Sequence, residues 1–218
     1  MKRRNFKDNI KQPMTKTLLL PLFSLFFLSF YWAQAPIGSS LDKPSKEHKN
    51  ANGTSSSIAQ EMSKNGLILV FSCNTCPFVV GSANFPGWEK QYNDLYDLAS
   101  DSDIGFLLIN SNEAKRTGDD SFEMMKKRAA DAAYKMSYFL DSKSALANTL
   151  KAKTTPHVFF YDSEYKLIYS GSIDNIWDGK RKKDIPFLKN AMESHLKSKK
   201  IKPNTTAPKG CSIKRQKT

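Results

Sequence analysis

The chain has 218 residues, a length that usually holds one domain plus tails, and 39% of them are hydrophobic, which excludes a chain disordered throughout. Three cysteines are too few for a scaffold built from disulfides. The net charge of +13 sits at the ends: residues 1–35 hold six Lys/Arg against one Asp, residues 197–218 hold eight Lys/Arg and no acid, and residues 36–196 hold twenty of each sign. A neutral body argues against a basic groove that tracks phosphates, so no nucleic-acid partner is expected.

At the N-terminus, Lys2, Arg3, Arg4, Lys7, Lys11 and Lys16 precede an apolar run from Leu18 to Trp32 and the small-residue pattern Ala33-Gln34-Ala35. That layout is an export signal. Residues 1–35 therefore read as a signal peptide, cleaved after Ala33 or Ala35, or as an uncleaved anchor that would bring the chain to a membrane. Pro21 interrupts the run, which falls short of the roughly 20 residues of a span. In either case the remainder is expected outside the cytosol, periplasmic or secreted, where disulfides persist.

Residues 36–57 are rich in Ser, Lys, Asn and Gly without an apolar period and read as a flexible linker. A folded domain is expected over 58–200, followed by a solvated basic tail over 201–218. Leu67 to Phe71 is a continuous apolar run that suits a strand covered on both faces. From Trp88 to Ser100 the apolar residues Trp88, Tyr92, Leu95, Tyr96 and Ala99 fall at helical spacing. The alternation repeats with a strand over 104–109, a helix over 121–133, a short strand over 138–140 and a short helix over 144–150. Strands over 157–161 and 166–170, joined by four residues, predict an antiparallel hairpin. A last helix is expected over 184–199, with Ile185, Leu188, Met192 and Leu196 on one face. This order predicts an α/β fold, a central mixed sheet flanked by helices.

The chemistry concentrates at the end of the first long strand, in Ser72-Cys73-Asn74-Thr75-Cys76-Pro77. A cysteine where a strand gives way to a helix meets unpaired N–H groups and the helix dipole, which favour a thiolate. The spacing puts two sulfurs within disulfide reach, and attack by one thiolate followed by displacement by its neighbour is thiol–disulfide exchange. Cys73 is expected to be the nucleophile and Cys76 the resolving thiol. Three other readings stand beside this one: half of a zinc site, a structural bridge, and two free core cysteines. The zinc site would need two further ligands from Cys211 and three scattered histidines. Thr155-Pro156 precedes the hairpin strand, where a proline removes no ladder donor, and composition alone favours an ordinary trans bond.

The strand, the Cys73-x-x-Cys76 pair, the helix and Thr155-Pro156 before a hairpin resemble the thioredoxin fold. The wider set is similar to the peroxiredoxin-like redoxin group: Phe71-Ser-Cys-Asn-Thr-Cys-Pro-Phe78, Ile109-Asn-Ser-Asn112, Ser121-Phe-Glu, Thr155-Pro-His157, Gly171-x-Ile-Asp174 and Gly210-Cys-Ser-Ile-Lys214. The resemblance spans about residues 58–214. It implies a thioredoxin-like fold, a cis Thr155-Pro156 bond and a substrate disulfide held by the backbone of Thr155 and Pro156. In true peroxiredoxins the position of Cys76 carries the peroxide-attacking cysteine, but Cys73 replaces their activating Thr and Thr155-Pro156 stand near their Arg. With that hydroxyl and guanidinium missing, little remains to stabilise the anion formed in O–O cleavage. Leu67 to Phe71 also lacks the buried acid that many thioredoxins place beneath the dithiol.

The chain thus reads as an exported thiol–disulfide oxidoreductase without a cofactor, exchanging disulfides with protein partners and an upstream redox protein. The alternatives are a thiol-dependent peroxidase and a Cu(I)-handling protein using Cys73, Cys76 and His157. Cys211 is either a third redox thiol folding back on the site or an exposed free thiol. His157 is expected beside the dithiol, as a structural histidine or a ligand. Asn110 and Asn112 line the site or form a turn, and Trp88 and Trp177 form a partner rim or pack internally.

Overall fold

The structure is a computed structural model that describes residues 34–216. In chain order it contains strands β1 (Glu47–Lys49), β2 (Ser55–Ser57) and β3 (Leu67–Ser72), helices α1 (Pro77–Val80) and α2 (Tyr92–Ser100), β4 (Gly105–Asn110), α3 (Phe122–Asp131) and β5 (Ser137–Leu140). Helix α4 (Ala145–Thr149), β6 (Thr154–Thr155), β7 (His157–Tyr161), β8 (Leu167–Gly171), α5 (Phe187–Leu196) and β9 (Cys211–Ser212) follow. The export signal expected over residues 1–35 lies almost wholly outside the described residues.

Five strands form the central sheet in the order β5-β4-β3-β7-β8. β3 runs parallel to β4, and β4 to β5, while β7 is antiparallel to both of its neighbours. All six residues of β3 are buried, as its unbroken apolar run requires of a strand with both faces covered. Successive side chains point to opposite faces. Ile68 and Val70 join Leu108, Val158 and Phe160 under α2, α3 and α5, which contribute Tyr92, Leu95, Met125, Leu188 and Met192. Leu67, Leu69 and Phe71 join Ile109, Phe159 and Tyr161 on the other face, covered by Leu146 and Ala147 of α4 and by Leu41, Ile58 and Ile213.

Helix starts follow local chemistry. Ser121 Oγ accepts the Met124 N–H and caps α3, as its sequence predicts. Helix α5 begins at Phe187 rather than Asp184. Pro186 forces this, because the residue before a proline is disfavoured in helical conformation. The stretch from Trp88 opens with a 3-10 turn over Trp88–Gln91 and becomes α-helical at Tyr92.

Two segments expected to be loose are built into the fold. Within 36–57, β1 and β2 pair as an antiparallel hairpin whose turn docks on the outer edge of β5. Asn50 is buried; its Nδ2 donates to Ser137 Oγ, its Oδ1 accepts the Tyr138 N–H, and the Ala51 N–H donates to Tyr138 O. An edge strand offers unpaired backbone groups, and this polar segment satisfies them without an apolar period of its own. The basic tail is corrected likewise. Thr206 N–H donates to Ser170 O, Ile213 is buried, and β9 pairs with β6.

These elements converge at the carboxyl ends of β3 and β4. The chain leaves β3 toward α1 there, β4 and β7 flank it on opposite sides, and β6 arrives beside it. Crevices at such points, where strand order reverses, are where open α/β sheets bind ligands.

Candidate active site

β3 ends at Ser72, and Cys73 to Thr75 turn the chain into α1. Pro77 occupies the first turn, where its missing N–H costs nothing, and Cys76 is the N-cap residue, its carbonyl accepting the Val79 and Val80 N–H groups at 2.8 and 2.9 Å. The sequence places Cys73 at the helix N-terminus; the helix starts three residues later, so Cys76 holds that position. Asn74 clamps the turn between them. Its N–H donates to Asp120 Oδ1 at 2.9 Å, its Nδ2 donates to Asp119 O at 2.8 Å, and its Oδ1 accepts the Tyr138 hydroxyl at 3.0 Å.

The carboxylate of Asp120 is fully buried and is the hub of this clamp. Besides Asn74 it accepts from Asn110 Nδ2 at 2.7 Å and Asn112 Nδ2 at 2.9 Å. Three N–H donors replace the water that burial removes, which is what buried carboxyl oxygens need. An acid therefore does stand near the dithiol, supplied by the segment before α3 rather than by β3. Asp120 and Tyr138 were missed by sequence reasoning. Asn110 and Asn112 were the available signal: two amides just past a buried strand call for an acceptor, and the nearest carboxylates downstream belong to Glu113, Asp119 and Asp120.

Thr155 bridges the two thiols. Its Oγ1 lies 3.2 Å from Cys73 Sγ, and its carbonyl oxygen lies 3.2 Å from Cys76 Sγ, a hydrogen bond that the protonated thiol donates and the thiolate gives up. The Thr155-Pro156 bond is cis. Cys211 lies opposite Thr155 in the β6–β9 pair. Gly210 makes that approach possible, since a Cβ there would fall 2.2 Å from the Thr155 carbonyl oxygen. Cys73, Cys76, Thr155 and Cys211 thus line one cavity of about 190 Å3, together with Thr75, Pro77, Asn112, Lys115, Ser212 and Lys214. Among the described residues no arginine lines it.

The three free thiols differ in acidity. Hydrogen bonding from Cys73 brings Cys76 down to about 5 against the opposing effect of burial, assisted by the Cys211 side chain and the N–H groups of Cys211 and Phe78. The same hydrogen bond to Cys76, together with burial, holds Cys73 well above the usual thiol range. Burial, the hydrogen bond to Cys76 and the Cys76 charge raise Cys211 to about 11. The surroundings thus favour one negative charge on Cys76, the residue at the helix start, over one on Cys73. The thiolate is the nucleophilic form of a cysteine.

His157 does not join this cluster. It opens β7 on the opposite face of the sheet, packed at 4.4 Å between ring centroids against Phe159. Its Nδ1 accepts the Lys153 N–H at 3.1 Å, which leaves the proton on Nε2, 3.3 Å from Ser170 Oγ. Burial holds it neutral by lowering its pKa to about 3. That removes His157 from the copper ligand set, and among the described residues no group of three or more His, Cys, Asp or Glu is placed to hold a metal ion. Trp88 is fully buried and donates to Asp174 Oδ1 at 2.7 Å, a packing role. Trp177 is exposed, with Lys209 Nζ 4.7 Å from its ring centroid. Among the described residues no helix is long and apolar enough to cross a membrane.

No family model and no curated protein matches the chain. Solved structures do. An uncharacterized conserved protein from Geobacillus kaustophilus superposes with a TM-score of 0.72 at 24% identity, over 84% of this chain and 94% of that one. A hypothetical protein from Sinorhizobium meliloti gives 0.71 at 23% identity, over 85% and 96%. A "putative protein disulfide isomerase" from Bacteroides thetaiotaomicron gives 0.52 at 14% identity, over 75% and 91%. The mixed sheet flanked by helices, with the two-cysteine turn at the carboxyl end of its central strand, is an α/β thioredoxin-like fold.

Proposed function

We propose that the chain is a thiol–disulfide oxidoreductase acting on protein disulfides or dithiols, with Cys76 as nucleophile and Cys73 as resolving thiol. The observation that carries this is the placement of Cys76 at a helix start and of Cys73 beside it, both touching Thr155 and both lining one open cavity. Cys76 attacks a substrate disulfide and forms a mixed disulfide. Cys73, once deprotonated, displaces the substrate thiol, and the Cys73–Cys76 disulfide closes. Thr155 and Pro156 form the docking edge for the substrate chain, beside the thiols that Thr155 touches. Asp120 is a positioning residue, because it holds the N–H of Asn74 between the two cysteines.

Lys115 and Lys214 put positive charge at the cavity rim, which favours thiolate leaving groups and acidic flanking residues on a partner. Peroxide is not the substrate we propose, since no guanidinium among the described residues lines the cavity to stabilise an O–O cleavage transition state. The N-terminal sequence pattern supports export, and export supplies the oxidising compartment in which a dithiol–disulfide cycle has work to do.

The test is equilibration of the chain in glutathione buffers of graded potential, followed by acid quench, alkylation and mass mapping. A reversible two-electron transition at Cys73 and Cys76, between about −270 and −120 mV, is the expected result. Two thiols that stay alkylatable across that range would sink the reading.

A further inference from the structure

Cys211 is not needed for a two-cysteine cycle, yet the fold spends a strand, a glycine and a buried isoleucine on placing it. Resting on the proposed dithiol chemistry, we infer that Cys76 serves two disulfides: an inner one with Cys73 and an outer one with Cys211, through which the buried pair trades electrons with a partner.

The geometry has three parts. Thr155 touches Cys73 through its hydroxyl and Cys76 through its carbonyl, and it is the register partner of Cys211, which lines the same cavity, so one residue pairs with or touches all three cysteines. The segment carrying Cys211 is held on both sides. Ile213 N–H donates to Lys153 O at 3.1 Å, Lys214 N–H to Asn112 Oδ1 at 2.8 Å, and Ala114 N–H to Lys214 O at 2.8 Å. Gly210 admits the tail where any side chain would strike the Thr155 carbonyl. Accessibility then orders the thiols: Cys73 and Cys76 are 2% and 4% exposed, whereas Cys211 is half-buried at the cavity edge. The Cys76–Cys211 disulfide therefore lies nearer solvent than the Cys73–Cys76 disulfide, and it is the first intrachain bond formed once Cys76 has reached a partner.

The chemistry balances with a partner disulfide as oxidant. Cys76 thiolate attacks one partner sulfur, forming a mixed disulfide and releasing the other sulfur as a thiolate, which takes a proton from solvent. Cys211 gives its proton to solvent and attacks Cys76 Sγ, releasing the partner's remaining thiolate and forming Cys76–Cys211. Cys73, deprotonated in turn, attacks Cys76 Sγ, forming Cys73–Cys76 and returning Cys211 as a thiol. Two electrons have passed from the chain to the partner, and the reverse sequence oxidises a partner dithiol.

The experiment oxidises the wild-type, Cys73→Ser, Cys211→Ser and Cys73→Ser/Cys211→Ser chains with oxidised glutathione, quenches in acid at intervals, alkylates and maps disulfides by mass. Cys73→Ser should form an intrachain Cys76–Cys211 disulfide as its main product, and wild type should show that bond before Cys73–Cys76 accumulates. Resolution of the Cys76–glutathione adduct in Cys73→Ser should be at least about tenfold faster than in the Cys73→Ser/Cys211→Ser double variant, because the attacking thiol is already in place. Accumulation of the adduct with Cys211 still alkylatable overturns the inference. If Cys73→Ser does not fold, the wild-type time course decides alone, and absence of Cys76–Cys211 at every interval overturns it. Cys211→Ser separates the two readings: a reversible Cys73–Cys76 transition there keeps the dithiol function whatever becomes of Cys211, and its loss sinks that function itself.

Discussion

The two faces of the central sheet carry two buried titratable groups near the same strand ends, and they behave in opposite ways. His157, on the α4 face, is sealed among Phe71, Phe159 and Ser170 and is driven to its neutral form, with a pKa lowered to about 3. Cys76, on the face covered by α2, α3 and α5, is nearly as inaccessible and yet is driven to its charged form, at about 5. Burial acts against charge in both. The difference is the donors. Nδ1 of His157 meets a backbone N–H, which bonds the neutral ring, whereas the neighbouring Cys73 and Cys211 side chains and the N–H groups of Cys211 and Phe78 favour the charged form of Cys76. A reactive site here is a matter of what surrounds the charge, and depth alone selects against it.

The sharpest way to break this contrast is Cys76→Ser, which should reduce turnover of a disulfide substrate to the buffer background, read by absorbance of the released thiol. The next tests the thiolate through stability. A depressed folded-state pKa gives stabilisation that is present above the unfolded value and is lost as pH falls through the folded one. The reduced chain should therefore gain stability over Cys76→Ser as pH rises from about 5 toward 8. Cys73 and Cys211 are shifted upward and titrate above that window. Urea midpoints of both chains at pH 5 and pH 8 check this, and a pH-independent difference would refute it.

Phe71→Ala should cost about 3–5 kcal/mol in urea unfolding by opening a cavity on the His157 face. The pH midpoint of Cys76 alkylation should not move with it, because the donors around Cys76 lie on the other face. Asp120→Asn keeps the shape but turns an NH2 toward at least one of the N–H donors now shared between the two carboxylate oxygens, and should cost about 1–3 kcal/mol. It should also loosen the Asn74 clamp, visible as faster hydrogen exchange at that amide. Smallest of all, Lys135→Ala removes an exposed ion pair with Asp97 and should change stability by less than about 1 kcal/mol.

Most of the fold was legible in the chain, because periodicity reports burial directly. Leu67 to Phe71 could only be a strand with both faces covered, and the spacing of Tyr92, Leu95 and Ala99 could only bury one helical face. Segments that bury little apolar surface were misread. The β1–β2 hairpin and the tail are held by backbone hydrogen bonds to strand edges, and such bonds leave no periodic mark on side chains. Asp120 was hidden for a related reason: a buried carboxylate is identified by its donors, and they come from Asn74, Asn110 and Asn112 on two different strand ends.

The sequence by itself determined the α/β alternation, the mixed sheet with its terminal hairpin, and the two-cysteine turn at the end of β3. Each of these depends on neighbours within a few residues, where propensity and spacing act. Tertiary structure alone decided that the thiols gather at Thr155, that His157 faces away from them and that Cys211 lines their cavity. Those outcomes depend on groups far apart in the chain: Thr155 lies 82 residues from Cys73 and 79 from Cys76. Such contacts form only when sheet pairing fixes which strand ends meet, and an acidity set by donors exists only once they have met.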